Sequence, residues 1–374
     1  MTQPLARDET GRSAGSLIRA GIASALRQAP LSLWRRRFPK SAVRVCYHVV
    51  SDAPLAHLKH YRRLTVAEFE ADLDYLQRTF RFIGYDELER RRSKQEPVRD
   101  NSVILTFDDG FAQCADVVAP LLLKRGLSCV FFVITDLIDN VCAFRESAAS
   151  LCIDAILKRP VEQVDEIVRE LGGDARLSPP PRGAPAGATR PPLDMADLGV
   201  RADPRLWPLL HWLLTLDPAD TDLLTPLSAR LGVDAAAYLR NVRPYLSASQ
   251  IRKLRRDGFV IGAHSCNHRL LQRLSRDEAE REIVESCRIV RDLTGQRTAP
   301  FAFPYSGAGL DRTWLAELRR RNDFIGLVFD TDGLREDESF VVQRVFGERI
   351  GYDRSLDAIL RRAWAKRNAW RRGA

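Results

Sequence analysis

Three features of this 374-residue chain predict an α/β fold built on a parallel sheet or barrel. Short β-branched or aromatic runs alternate with helical patterns, and polar clusters stand directly behind several of these runs. The alternation stops between about Asp139 and Ser247 and then resumes. Alternating β and α segments put crossover helices between parallel strands, so the interruption reads as an insertion. By length alone, two compact domains would fit as well as one barrel carrying an insertion.

The run VRVCYHVV at 43–50 reads as a buried strand, and Thr65-x-x-Glu68 caps a periodic helix to about Phe80. Val103–Phe107 is a second strand ending at Asp108 and Asp109, Val117–Lys124 is helical, and Ser128–Ile134 is a third strand. Residues 139–246 read as mostly helical, broken at 178–192 by SPPPRGAPAGATRPP, which cannot sustain a helix or a regular ladder. A helix at 249–256, a strand at 259–263 delivering His264, and a helix from Ser275 with a capping box at Glu278 restore the rhythm. A strand near 300–303, a helix at 312–321, strands near 325–329 and 340–346 and a last helix at about 355–370 complete it. The expected organisation is a basic amphipathic segment (1–40), the first part of the α/β body (41–138), the insertion (139–246), the second part of the body (247–353) and a basic C-terminal helix (354–374).

An apolar content of 45% with 29% charged residues suits a folded protein with a sizeable core. The net charge of +9 is carried by the ends: residues 1–40 and 361–374 each contribute +6, leaving −3 for the rest. Basic ends on a slightly acidic body suit contact with anionic membrane or another protein. Residues 15–38 and the C-terminal RRAWAKRNAWRR mix apolar and basic side chains as an interfacial helix does, although docking on the protein's own underside fits equally. The basic residues lack the interleaved aromatics of a nucleic-acid groove, so no nucleic-acid partner is expected. Seven cysteines without framework spacing, no secretory leader and no apolar run long enough to span a bilayer predict a cytoplasmic protein with reduced thiols, whose basic ends would permit membrane association.

Asp108 and Asp109 follow a strand and precede Gly110. Parallel βα folds bind ligands at the carboxyl ends of their strands, although Asp-Asp-Gly also suits a plain turn. His264 and His268 follow another strand, four residues apart, and two of only six histidines stand here. Such a pair converges readily on one ion. Two imidazoles and one carboxylate leave coordination positions open for water, whose pKa a metal can lower to about 7 while polarising a carbonyl. A second carboxylate not used as ligand is then free to take the water's proton. The pattern points to metal-assisted hydrolysis of an acyl group.

On TFDDG at 106–110 and HSCNH at 264–268, with FAFPYSG at 301–307 as a looser third element, the chain resembles the polysaccharide deacetylase family over about 43–138 and 247–350. This is the chitooligosaccharide deacetylase homology domain, or carbohydrate esterase family 4. The resemblance implies a distorted (β/α) barrel of about seven strands with a mostly helical insertion. It implies Asp108 as general base, Asp109, His264 and His268 as ligands of a divalent metal, with zinc the first choice, and Tyr305 as the residue whose backbone N–H helps bind the oxyanion. The implied reaction removes N-acetyl groups from a polysaccharide, a lipid-linked oligosaccharide or a glycan precursor. A catalytically degenerate carbohydrate-binding protein and an O-acetyl esterase of the same family are the alternatives.

The chain departs from the commoner family pattern twice. Ala302 and Phe303 stand where an arginine and a first proline would be, so the arginine that orients the base is missing. FAFPYSG is instead similar to the variant in deacetylases of bacterial poly-N-acetylglucosamine and related exopolysaccharides. Arg344 in VVQRV is the best substitute guanidinium, a surface strand residue being the alternative. No histidine follows His268, so the late Leu-x-His motif has no counterpart, and His48 in CYHVV is the candidate acid unless it merely caps its strand. Asp330 and Asp332 in FDTDG are expected either to hold Arg344 or to form a turn. His57 and His60 read as solvated loop histidines, with facing substrate across the mouth the alternative, His211 as packing beside Trp207 and Trp212, and Cys266 as pointing into the protein, because a fourth ligand would close the site.

Overall fold

Val43–Tyr47 (β1), Ser102–Phe107 (β3) and Val130–Val133 (β4) are buried at every residue. Parallel strands covered by helices require such near-continuous apolar runs. In the computed structural model the described residues are 42–98, 101–171, 202–216, 221–348 and 355–370. The N-terminal amphipathic segment and the loop at 178–192 therefore lie outside them.

All the named strand pairings are parallel, in the order β8-β7-β6-β5-β4-β3-β1-β9. Here β5 is Val260–Ala263, β6 Ala299–Ala302, β7 Ile325–Asp330, β8 Val341–Gln343 and β9 Val345–Phe346. A short β2, Arg81–Phe82, adds to β3 off this path. The strand expected over 340–346 is split at Arg344. Its first half pairs with β7 and its second with β1, at opposite ends of the order. The chain is handed across by Arg344 N–H donating to Asp330 O (2.9 Å) and Gly347 N–H to Cys46 O (2.7 Å). Counting β8 and β9 as one interrupted strand, the ring has seven members and closes as a distorted (β/α) barrel.

The outer helices begin where polar caps permit. Thr65 and Glu68 form the capping box of α1 (Val66–Thr79). The short α2 (Tyr85–Ser93) carries no apolar period strong enough to announce it in the sequence. The helix expected at 117–124 is a π-helical turn, Cys114–Val118, running into α3 (Ala119–Arg125). Among the described residues five α-helices stand between β4 and Tyr245: α4 (Arg145–Leu157), α5 (Val161–Glu170), α6 (Trp207–Leu214), α7 (Thr221–Arg230) and α8 (Ala235–Val242). The first four share a small core of their own, including Cys152, Ile156, Val164, Leu210, Leu213 and Leu227, while Leu239 of α8 packs elsewhere. A further cluster with Val49, Phe111, Phe144 and Tyr245 joins them to the strand ends.

Two histidines are corrected by this packing. His57 and His60 are buried at 1% and 2% exposure instead of solvated. His60 bonds Ser150 Oγ and Leu213 O, both at 2.8 Å, and His57 Nδ1 lies 2.7 Å from the Tyr238 hydroxyl. They fasten their loop beneath the inserted helices, and burial lowers the His57 pKa to about 4.

The barrel resumes with α9 (Ala248–Arg256), α10 (Arg276–Thr294), α11 (Arg312–Arg321) and α12 (Leu356–Trp370). Ser275 and Glu278 form the expected capping box of α10. Leu356, Ile359, Leu360 and Trp364 of α12 are buried in the barrel core, so that apolar face is occupied by the protein itself. Among the described residues no helix is long and apolar enough to cross a membrane.

Candidate active site

Asp108, Asp109, His264 and Tyr305 all follow the carboxyl ends of barrel strands. The ladder carries β3 one residue further, with Asp108 N–H donating to Tyr47 O at 2.9 Å. Asp109 and Gly110 then adopt φ of 72° and 70°, turning the chain sharply under the barrel mouth. A side chain at Gly110 would bring its Cβ within 3.0 Å of Val133 Cγ1, so glycine is needed there for space as well as for φ. Ser265, His268 and Tyr305 also have φ near 60°. Left-handed non-glycine residues are costly and gather where a fold holds side chains in fixed directions.

Asp109, His264 and His268 each present a ligand atom within 4.8 Å of the others, and all three are buried. Both imidazole Nε2 atoms face Asp109 Oδ1, at 3.3 Å from His264 and 3.5 Å from His268. His264 Nδ1 lies 2.8 Å from Ala302 O, which can only accept, so that nitrogen carries a proton and Nε2 is the nitrogen left to coordinate on the carboxylate side. Neither Asp109 oxygen has a hydrogen-bond partner, and His268 Nδ1 has none. Burial lowers the His268 pKa to about 4, favouring its neutral, ligating form. A buried carboxylate without donors, faced by two imidazole nitrogens, is costly unless a cation sits among them. The donor set fits a divalent metal.

Beside this triad, Asp108 is gripped by the fully buried Arg344: Nη1 donates to Oδ1 at 2.7 Å and Nη2 to Oδ2 at 2.8 Å. Arg344 Nη1 also reaches Thr106 Oγ1 (3.0 Å), and its guanidinium lies over the rings of Phe132 and Phe329. Burial pushes the Asp108 carboxyl up, but the charge and hydrogen bonds of Arg344, together with His264 and His48, outweigh this and hold it below its ordinary pKa. The Cys46 thiol donates to Asp108 Oδ2 at 3.3 Å.

Asp330 and Asp332 do not clamp Arg344 with their side chains. Asp330 accepts from Gly307 N–H (2.8 Å) and Arg312 Nη2 (3.1 Å), and only its backbone carbonyl meets Arg344, while Asp332 makes an exposed pair with Arg335. Cys266 stands outside the ligand group, with its thiol toward Glu282 O.

His48 is half-buried, with Nδ1 2.8 Å from Glu348 Oε1 and its ring stacked on Phe346. One ring nitrogen lies within 4.8 Å of Asp108 and Cys46 ligand atoms. Burial disfavours its charged form, but Glu348, with Asp109 and Asp108, outweighs that and raises its pKa to about 9. Tyr305 packs its ring on His268 (4.7 Å), and its hydroxyl donates to Glu146 and accepts from Arg145 Nη2 (3.0 Å). Phe144 covers the other side of His268 at 5.0 Å. Sequence reasoning missed Phe144, Arg145, Glu146 and Glu348. Only Glu348 carried a signal, because it follows β9 as the other site residues follow their strands.

The family model of polysaccharide deacetylases matches residues 95–185 and 211–321, more than half of the chain. The chain belongs to the polysaccharide deacetylase family. No curated protein matches it. Among solved structures, the deacetylase PplD of Streptococcus pyogenes, in complex with acetate, is similar at 15% identity and a TM-score of 0.50, covering 87% of this chain and 99% of its own. IcaB from Ammonifex degensii is similar at 18% identity and a TM-score of 0.45, covering 87% and 97%. The likeness to PplD is one of fold. Within this deacetylase, both family motifs identified in the sequence line one barrel mouth, and Arg344 approaches the TFDDG carboxylate from the break between β8 and β9.

Proposed function

We propose that this polysaccharide deacetylase is a metal-dependent hydrolase that removes N-acetyl groups from a carbohydrate and releases acetate. The observation that carries the reading is the partnerless Asp109 carboxylate, faced by Nε2 of both His264 and His268, beside a second carboxylate, Asp108, locked by Arg344. Asp109, His264 and His268 would hold the ion, and zinc suits two imidazoles and a carboxylate with positions left open. When bound, the metal supplies polarisation of the acetyl carbonyl and a lowered pKa for the attacking water.

Asp108, kept ionised by Arg344, takes the water's proton as general base. The Tyr305 backbone N–H helps hold the developing oxyanion, its ring fixed by His268 and its hydroxyl by Glu146 and Arg145. His48, kept protonated by Glu348, gives a proton to the leaving amine. The FAFPYSG variant supports a substrate of the poly-N-acetylglucosamine kind.

Asp109→Ala, His264→Ala and His268→Ala are each expected to lose stoichiometric metal together with acetate release. Atomic emission beside an acetate assay on N-acetylglucosamine oligomers tests this, and a variant keeping both metal and turnover would refute the ligand set. The acid role has its own signature. His48 is competent while protonated, so turnover should decline as pH rises through about 9. Glu348→Gln removes the charge that raises this pKa, and the alkaline limb of kcat should move to lower pH. An unmoved limb would detach His48 from proton donation.

A further inference from the structure

The geometry points to Glu282 as the positioning residue of the two-histidine loop: from α10 it sets where His264 and His268 stand, and hence how tightly the metal is held. This rests on the metal reading above. The loop 264–268 carries two ligands but little regular structure, and two of its five residues, Ser265 and His268, have φ of 61°. One bond within the loop does not by itself hold that shape, so neighbouring groups must help impose it.

Its backbone hydrogen bonds come from three sides. From the β4 side, His264 N–H donates to Val133 O (2.8 Å), while Ser265 O and Cys266 O accept from Thr135 N–H (3.2 Å) and Asp136 N–H (2.9 Å). From within, His268 N–H donates to Ser265 Oγ at 2.8 Å. From the outer helix, Glu282 Oε2 accepts from both Cys266 N–H (2.8 Å) and Asn267 N–H (3.3 Å), the two amides between the ligands.

Glu282 is only 7% exposed, in the middle of the 19-residue α10. That helix is capped at both ends, by Ser275 and by Gly295 at φ 67°, and packs Ile283, Cys287 and Val290 into the barrel core. The carboxylate is thus mounted on a rigid support. Two adjacent N–H groups aimed at one carboxylate oxygen form charge-assisted bonds, stronger than neutral ones. Without that acceptor the two part-buried amides lose their common protein partner, and the loop can relieve its left-handed residues by turning His268 away from Asp109. A carboxylate on a helix with no part in coordination would then decide whether coordination is possible.

The test is metal affinity, read apart from catalysis. Purified full-length protein is stripped, and Zn²⁺ binding is measured by competition with a chromophoric chelator, with Co²⁺ absorption reporting the ligand field. Glu282→Ala should weaken Zn²⁺ affinity about 10–100-fold, the usual effect of removing a group that orients a ligand, with an altered Co²⁺ spectrum. Glu282→Asp, which keeps the charge and the fold but withdraws the oxygen by one methylene, should also weaken binding. Glu282→Gln, which keeps an acceptor oxygen in place, should stay close to wild type. Wild-type affinity in both the alanine and aspartate variants would overturn the positioning role while leaving the metal reading intact. Absence of Zn²⁺ binding by the wild-type protein would overturn both.

Discussion

Asp108→Asn is expected to lower kcat by about 10²–10⁴-fold, the range for loss of a general base, while metal content stays at the wild-type level. The amide has nearly the shape of the carboxylate, and its oxygen can still accept from Arg344. What it cannot do is take a proton from water. Asp108 Oδ2 stands 4.0 Å from His264 Nε2 and outside the ligand group of Asp109, His264 and His268, so the change should spare coordination. KM should change little, because the lost interaction belongs to the transition state. Acetate release over a range of substrate concentrations, with metal per chain measured on the same sample, separates the two carboxylates. Normal turnover would remove Asp108 as base; loss of metal would make it a ligand.

The two carboxylates and two histidines were legible because each pair sits directly behind its own strand, and a strand end is a local event. β3 and β5 announce themselves by their apolar runs, and the residue after each is carried to the barrel mouth by the ladder. Arg344 was legible only through what was missing elsewhere, the absent guanidinium in FAFPYSG. Its partner lies 236 residues away, and VVQRVF shows no sign of the break that aims its side chain inward. Glu146 and Glu282 were illegible for a related reason, and Glu348 showed only its place behind a strand: each meets its partner only after separate elements pack together. His57 and His60 failed in the opposite direction. Their polar loop looked solvated, yet the inserted helices close over it and supply Tyr238, Ser150 and Leu213 O as partners. Local periodicity predicts elements, but the lid that buries a loop is a tertiary fact.

The same pairing makes Arg344→Ala the most damaging single change expected for stability. Arg344 and Asp108 are both buried, joined by two parallel hydrogen bonds. Removing one partner of a buried pair costs about 3–5 kcal/mol, because the other charge is left uncompensated. Arg344→Lys should recover only part of this, since an ammonium cannot reproduce the two-pronged contact or the packing over Phe132 and Phe329. The pH dependence has a definite sign. In the wild type the Asp108 pKa lies below its ordinary value, so the carboxylate contributes stability that is present above the unfolded-state pKa and is lost as pH falls through the folded-state one. Without Arg344 the remaining dominant influence is burial, which raises the pKa. The stability gained on ionisation should then disappear, and the acid limb of turnover should move to higher pH. Urea unfolding at several pH values, run beside pH–rate profiles, measures both. Arg344→Ala combined with Asp108→Asn should be less destabilised than the two single costs together, because no buried charge remains to be stranded. Additive losses, or an Arg344→Ala protein of wild-type stability, would show that the contact between β3 and the strand break does not hold the base.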